Sequence, residues 1–203
     1  MTRDDLAARR GAETAVYQPA EDSALLARAA VADVSSGDRV LEVGTGSGWV
    51  AGRVATETRA DVVASDLNPH ACREARERAR DLDEGGAFEV VGADLVSAFS
   101  DEAFDVVLFN PPYLPTDPDN EWGDWMERAL SGGESGREVI EPFLDTVGRV
   151  LAPGGRVLLL VSSLTGYETV LDYANERGFD AEKAVEESYP FETLTVVELT
   201  RLE

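Results

Sequence analysis

Short apolar stretches alternate with helical patterns along this chain, and this alternation restricts the fold more than any other feature. Residues 39–43, 61–66, 88–91 and 104–109 are rich in valine and other β-branched or aromatic types, so we expect each to form a strand. Helical patterns lie between most of them, which favours parallel strands joined by helical crossovers. The sequence therefore predicts an α/β fold with a doubly wound sheet and helices on both faces.

The second half of the chain continues this alternation. We expect helices at 138–150 and 168–177 and strands at 156–161, 181–187 and 193–199. The connection between the last two strands is short enough for antiparallel pairing. The sheet should therefore be mostly parallel and end in an antiparallel strand.

The fourth predicted strand runs into the turn Asn110-Pro111-Pro112-Tyr113. Proline has no backbone N–H and a fixed φ, so the strand cannot continue past Asn110. The turn thus lies at the carboxyl end of a strand, where open α/β sheets bind ligands. The Asn110 side chain and a proline carbonyl could both accept from one planar NH2 group, while the Tyr113 ring covers its face. We therefore predict a site for an amide or aromatic amine, although such a turn can also simply redirect the chain.

Glycines and acids follow the other predicted strands. The loop Gly44-Thr-Gly-Ser-Gly48 joins a strand to a helix, and its glycines allow a ligand to approach the backbone closely. Its spacing departs from the dinucleotide fingerprint, because Trp49 stands where that pattern requires the third glycine. Asp66 lies about 20 residues further on, where nucleotide-binding folds place an acid that binds ribose hydroxyls. Asp94 could accept from an adenine amine or cap its own loop.

The chain is strongly acidic, with 40 aspartates and glutamates against 18 lysines and arginines and a formal net charge of −22. The acids occur in every segment and Lys183 is the only lysine, which favours adaptation to high salt over a signal about partners. The single cysteine, Cys72, and the single histidine, His70, exclude an internal disulfide and a cysteine- or histidine-based metal cluster. No apolar run approaches the roughly 18 residues that span a bilayer, so we expect a cytoplasmic protein with no membrane partner.

Two segments have little periodic signal. We expect residues 1–15 to form a mobile arm before a single domain at 16–203. The long connection 114–137 holds Trp122 and Trp125. Loops of this length inside a compact domain are usually functional, although the tryptophans could instead cover an edge of the sheet.

Five motifs occur in a fixed order along the chain. They are Tyr17-x-Pro-Ala-Glu-Asp-Ser23, Glu42-x-Gly-x-Gly-x-Gly48, Asn110-Pro-Pro-Tyr-x-Pro-Thr116, Gly132-Gly-x-x-Gly-Arg-Glu138 and Glu192-Thr-Leu194. With them the chain resembles HemK-like class I S-adenosylmethionine (SAM)-dependent protein glutamine methyltransferases, in the archaeal and eukaryotic branch that modifies class I translation release factors. The resemblance spans about residues 16–199 and implies a Rossmann-like fold with a seven-stranded sheet.

The resemblance assigns roles to the predicted site residues. It implies SAM as the cofactor, with contacts from Tyr17, Ser23, Glu42, Gly44, Gly46, Gly48, Asp66, Leu67, Asp94, Leu95 and Asn110. It implies that the catalytic turn Asn110, Pro111 and Tyr113 holds the acceptor amide, namely the glutamine of the Gly-Gly-Gln motif of the release factor. No metal is expected.

The resemblance also implies two protein partners: the release factor as substrate and a small zinc-binding methyltransferase activator in a heterodimer. The predicted strand 88–91 should lie at an edge of the sheet, has Glu89 as its only charge and lacks proline and lysine. Such an edge invites strand pairing, so we expect the activator to bind along it.

Three other functions remain compatible with these motifs. The first is methylation of the exocyclic amine of adenine in nucleic acid, because the Asn-Pro-Pro-Tyr turn suits that planar amine as well. The chain has no target-recognition segment or basic surface, which disfavours a nucleic-acid partner. The second is methylation of a lysine in another protein, and the third is a SAM-binding scaffold subunit without activity.

Overall fold

A computed structural model describes residues 15–82, 88–116 and 125–202 of the protein. The arm expected at residues 1–15 falls outside the described residues except for Ala15, and it stays a prediction together with the domain boundary. Trp122 also lies outside them.

Helices and strands alternate along the first half of the described chain. In order they are α1 (Glu21–Asp33), β1 (Arg39–Val43), α2 (Trp49–Thr58), β2 (Asp61–Asp66), α3 (Pro69–Asp81), β3 (Glu89–Gly92) and β4 (Phe104–Phe109). Helix α3 begins with Pro69 at its first helical position, and the Asn68 side chain caps it by accepting from the His70 N–H at 2.9 Å.

The second half contains α4 (Trp125–Leu130), α5 (Ile140–Val147), β5 (Leu151–Ser162), α6 (Tyr167–Glu176), β6 (Phe179–Ser188) and β7 (Thr193–Arg201). None of the helices within the described residues is long and apolar enough to cross a membrane.

The described strands form one seven-stranded sheet in the order β3-β2-β1-β4-β5-β7-β6. Neighbours from β3 to β5 pair in parallel, and β7 runs antiparallel to both β5 and β6. The predicted mostly parallel sheet with an antiparallel C-terminal strand is therefore confirmed. The chain reverses its direction of travel across the sheet between β1 and β4, so a ligand-binding crevice is expected at the carboxyl ends of these two strands.

Helices cover both faces of the sheet. Val106 belongs to the core packed under α1, α2 and α3, whereas its neighbour Val107 belongs to the core under α5 and α6. Adjacent strand residues point to opposite faces, so a strand buried on both faces must be apolar throughout. This explains the continuous apolar runs that mark β4 and β5 in the sequence.

Some predicted boundaries differ from the structure. The helix expected at 138–150 is the shorter α5, and β5 begins at Leu151 instead of Arg156 because Leu151 already pairs with Phe104. After the Phe104–Leu151 pair, β5 has an irregular stretch, and regular pairing resumes at Val106 and Arg156. Strand β3 is shifted by one residue from the predicted 88–91, since Phe88 packs into the core.

Candidate active site

A cavity of about 350 Å³ opens at the carboxyl ends of the central parallel strands. It lies at the crevice between β1 and β4 that the strand order predicts. Most of the predicted site residues line it: Tyr17, Ser23, Glu42, Gly44, Gly46, Asp66, Leu67, Asp94, Leu95, Asn110, Pro111 and Tyr113. Motifs that are far apart in the sequence thus meet around one space.

Gly48 is the predicted site residue that does not line the cavity. Its φ of 76° is left-handed, and a Cβ at this position would come within 2.9 Å of the Phe88 ring and 3.0 Å of Ala75 Cα. Gly48 therefore allows close packing behind the loop. Gly44 and Gly46, by contrast, do line the cavity, with φ of 66° and 54°.

Glu42 fixes the glycine loop from the end of β1. Its Oε2 accepts hydrogen bonds from Thr45 Oγ1 at 2.5 Å and from the Ala51 N–H at 2.9 Å. Complete burial raises the pKa of Glu42 to about 8, although both hydrogen bonds oppose the rise. The carboxyl is therefore mostly protonated at neutral pH, and a cation bound beside it would favour its ionised form.

Asp66 fixes the same loop from the end of β2. Its Oδ2 accepts from the Gly46 N–H at 2.9 Å, and its Oδ1 accepts from the Asn68 N–H at 2.8 Å. Burial raises the pKa of Asp66, against the effect of these backbone bonds. Each carboxylate oxygen can accept more than one hydrogen bond. Asp66 can therefore hold the loop and still accept from the hydroxyls of a ligand.

Asn110 leaves β4 at the wall of the cavity. Its Oδ1 is buried and has no hydrogen-bond donor among the described residues. Pro111 is buried beside it, and Tyr113 is only 3% exposed. A buried polar atom without a partner costs about 1–3 kcal/mol, which an N–H donor from a ligand would offset.

The segment 130–136 packs against this turn and is hydrogen-bonded to it. Leu114, the residue after Tyr113, donates its N–H to the Leu130 carbonyl at 3.0 Å and accepts from the Gly132 N–H at 2.9 Å. A Cβ on Gly136 would lie 2.7 Å from the Tyr113 carbonyl oxygen. The glycine-rich motif at the end of the long connection thus supports the Asn-Pro-Pro-Tyr turn.

The lining residues that were not among the predicted site residues include Asp22, Trp125 and Arg128. Asp22 belongs to the first motif, but an acid in the first turn of a helix has an ordinary explanation in the helix dipole. Trp125 and Arg128 lie on α4, whose C-terminal end is joined to the turn after β4 by the bridge between Leu114 and Ser131. No local sequence signal indicates that bridge.

The charge of the cavity suits a cationic ligand. Arg128 is the one basic residue among the described residues that line it, against the acids Asp22, Asp66 and Asp94, and a bound cation would favour the ionised form of Glu42 as well. SAM carries a sulfonium and an α-ammonium group, together with ribose hydroxyls for Asp66 and an adenine amine for Asp94. The residues present therefore fit this cofactor.

Comparisons with known proteins agree with this geometry. Residues 40–133 match the family model of a methyltransferase domain. A Methanocaldococcus jannaschii protein assigned as an N5-glutamine methyltransferase is 38% identical over 92% of this chain and 92% of its own length. Human methyltransferase HEMK2 is 34% identical over 95% of this chain and 92% of its own length.

A solved structure extends the similarity to three dimensions. It is the Mtq2–Trm112 complex of E. cuniculi, described as responsible for methylation of the eRF1 translation termination factor. The matched chain is 28% identical with a TM-score of 0.73, over 94% of this chain and all of the other. On its sequence, fold and cavity, this chain belongs to the HemK-like family of SAM-dependent protein glutamine methyltransferases.

Proposed function

We propose that this enzyme transfers a methyl group from SAM to the side-chain amide nitrogen of the Gly-Gly-Gln glutamine in a class I translation release factor. The observation that carries the proposal is Asn110 Oδ1, a buried acceptor in the cavity wall without a donor among the described residues. One hydrogen of a glutamine NH2 group would satisfy this oxygen. The Pro111 carbonyl could accept the other, while the Tyr113 ring covers the face of the amide.

These contacts address the main difficulty of the reaction. An amide nitrogen is a poor nucleophile because its lone pair is delocalised, and positive charge develops on it as the new bond to carbon forms. Acceptors on both of its hydrogens stabilise that charge, and they also hold the nitrogen in line for attack. When bound, SAM supplies an electrophilic methyl group whose bond to sulfur breaks with the electron pair remaining on sulfur.

The methylated amide then loses one proton to water, so the turn needs no strong base. None of the described residues that line the cavity is a histidine, cysteine or lysine. Positioning by Asn110, Pro111 and Tyr113 is therefore the main contribution of this chain. Among possible substrates, a release factor is supported by the eRF1 activity attributed to the E. cuniculi complex.

The proposal is tested with radiolabelled SAM and three acceptors offered in parallel. They are the release factor, a release factor with glutamate in place of the Gly-Gly-Gln glutamine, and DNA. Glutamate has the same shape but no amide nitrogen, so only the unmodified release factor should take up label. Equal labelling of the glutamate variant, or label on DNA alone, would contradict the proposal; mass spectrometry would then locate a modified lysine.

We also infer that a small zinc-binding activator binds along β3. The matched methyltransferase of the E. cuniculi structure is in complex with a second protein. Strand β3 lies at one edge of the described sheet, where its ladder partner is β2 and the Arg76 side chain also donates to the Val90 carbonyl at 3.1 Å. Glu89 is its single charged residue, and Val90 and Val91 are half-buried. An added strand would satisfy the outer edge and cover both valines.

The opposite edge strand, β6, is protected against such pairing. It carries the charged residues Asp180, Glu182, Lys183, Glu186 and Glu187. Its register with β7 also shifts between Lys183 and Val185. Charges and irregularities are common means of blunting sheet edges, so β3 is the better candidate for an added strand.

The two edges supply a matched test. Val90→Pro removes a backbone donor from β3, whereas Ala184→Pro introduces proline at the irregular position of β6. With the organism's Trm112-like protein co-expressed, Val90→Pro should abolish co-purification and Ala184→Pro should preserve it, with both folds checked by circular dichroism. The enzyme expressed without this partner should be weakly active. Normal binding by a folded Val90→Pro variant would refute the edge assignment.

A further inference from the structure

Asp22 makes a buried hydrogen-bond network that the transfer reaction described above does not use. The residue lies in the first turn of α1, lines the cavity and is only 3% exposed. Its Oδ2 accepts from the Tyr17 hydroxyl at 2.8 Å and from the Tyr113 hydroxyl at 3.4 Å. Its Oδ1 accepts from the N–H of Ser23 at 2.6 Å and from Ser23 Oγ at 3.2 Å.

The two carboxylate oxygens thus face two different parts of the site. Oδ1 holds Ser23, which the family pattern assigns to the cofactor. Oδ2 joins Tyr17 to Tyr113, which are 96 positions apart in the chain and belong to the first and third motifs. Asp22 and Tyr113 are themselves separated by 91 positions. One buried side chain therefore links the start of the domain to the turn that follows β4.

We propose that Asp22 is a positioning residue that fixes the ring of Tyr113 against the acceptor amide. The hydroxyl bond anchors the far end of the ring, while the segment 130–136 anchors its backbone. A ring fixed at both ends keeps its face over the amide held by Asn110. Asp22 does not touch the reacting atoms, and the inference rests on the proposed acceptor site.

Asp22→Asn separates the two halves of the network. The short bond from the Ser23 N–H requires an acceptor, so the asparagine oxygen should occupy the Oδ1 position and its NH2 group the Oδ2 position. The tyrosine hydroxyls then face a donor instead of an acceptor. The Ser23 side of the network is unchanged and only one lining charge is lost, so SAM affinity should fall no more than a few-fold while turnover falls about 10- to 100-fold.

A double-mutant cycle tests whether Asp22 acts through the Tyr113 hydroxyl. Tyr113→Phe should lower turnover like Asp22→Asn, and the double variant should be no slower than the slower single variant. Two control variants should leave turnover normal. Glu21→Gln changes an acid in the same helical turn, and Tyr189→Phe removes a hydroxyl that donates to Glu187 at 2.6 Å outside the cavity. If the fold-loss of turnover in the double variant equals the product of the two single losses, the residues act independently and the proposal is overturned.

Ring NMR of 13C-labelled tyrosine supplies a readout that needs no acceptor. In the SAM-bound protein, Asp22→Asn should shift the signals of Tyr17 and Tyr113 and leave that of Tyr173 in place, because Tyr173 bonds to the distant Asp145. An unchanged Tyr113 signal would refute the positioning role. If the wild type binds SAM but does not methylate the release factor, the proposed function fails while the NMR comparison still tests Asp22.

Discussion

Asn110 presents an unsatisfied buried acceptor at the cavity wall. Every other buried side-chain nitrogen or oxygen of the described residues has a hydrogen-bond partner, whereas Asn110 Oδ1 has none. Proteins rarely leave such an atom unsatisfied, because its desolvation is not offset. At a cavity wall, the expected reason is a donor that arrives with the substrate.

Asn110→Ala should therefore abolish transfer while leaving SAM binding largely intact. The substitution removes a hydrogen bond that strengthens as charge develops on the acceptor nitrogen, and such losses cost about 100-fold or more in turnover. The bond from the Gly46 N–H to Asp66, and with it the proposed cofactor site, is left in place. Single-turnover assays and calorimetric titration with SAM measure the two effects separately. Turnover within a few-fold of wild type would exclude Asn110 from the acceptor site.

Glu42 leads to a prediction about pH. Because its pKa is raised to about 8 in the fold, the native state binds the proton more tightly than the unfolded chain does. Its contribution to stability is therefore fully present below pH about 4.5 and is lost as pH rises through about 8. The loss from this one group cannot exceed about 1.4 kcal/mol per pH unit.

Glu42→Gln keeps an oxygen for Thr45 and Ala51 but removes the titration. Urea unfolding at several pH values measures the free energy of unfolding of both proteins. Between pH 5 and 8, that of wild type should fall relative to that of the variant, by no more than about 1.4 kcal/mol per pH unit. Taking the difference between the two proteins cancels the other acids, including Asp66. Parallel pH curves would mean that Glu42 ionises normally in the fold.

The site residues predicted from the sequence are those with a local signature. Asp66 was predicted because an acid at the end of the second strand has a recognised position, and Asn110 because two prolines end its strand. Asp22 and Arg128 were not predicted, since the bond from Tyr113 to Asp22 and the bridge near Arg128 join residues that are distant in sequence. Long-range hydrogen bonds leave no periodic pattern in the chain.

At the level of elements, two loops from different parts of the chain form one unit. The turn after β4 and the segment 130–136 exchange backbone hydrogen bonds at Leu114, and Gly136 lies against the Tyr113 carbonyl. The position of the acceptor turn therefore depends on a glycine that lies outside the cavity lining.

Gly136→Ala and Gly154→Ala test this dependence as a matched pair. Both glycines are left-handed, with φ of 73° and 77°, so alanine costs about 1–2 kcal/mol of backbone strain at either position. Only at Gly136 would the new Cβ meet a backbone oxygen, at 2.7 Å; nothing lies within 4 Å at Gly154. We expect Gly136→Ala to be the less stable variant and to lose about tenfold in turnover.

Chemical denaturation and steady-state assays compare the two variants. Gly154→Ala should retain normal turnover, since it lies in the irregular part of β5 away from the cavity. If both variants lose turnover equally, general destabilisation explains the effect and the contact between Gly136 and the turn after β4 has no specific role.

Elements were predicted well where the sequence pattern has one explanation. β1, β2 and β4 begin and end at the predicted residues, because each has an apolar centre and is bounded by a turn or an acid. The helix expected at 138–150 was too long, because its last residues instead form a turn leading into β5. Pairing with Phe104 determines where β5 begins, and the local sequence of a strand does not indicate its pairing partner.

At the level of the whole molecule, the surface has far more acid than base. The net charge of −22 produces self-repulsion, which the ion pairs present can only partly offset. Most of these pairs are exposed, such as Arg28–Glu187 with 56% and 39% of the side chains accessible. Exposed pairs typically contribute about 0–1 kcal/mol, so repulsion should dominate the response to salt.

Salt should therefore stabilise this protein. Raising KCl from 0.1 M to 1 M shortens the screening length from about 10 Å to about 3 Å, which weakens repulsion between dispersed acids more than it weakens close pairs such as Arg156–Asp33 at 2.6 Å. We expect the melting temperature to rise by about 4–8 °C, which corresponds to roughly 2 kcal/mol for a chain of this size. Thermal unfolding in KCl, with sucrose at equal osmolarity as the control, separates screening from preferential exclusion. A melting temperature that falls with KCl would show that the ion pairs outweigh the self-repulsion.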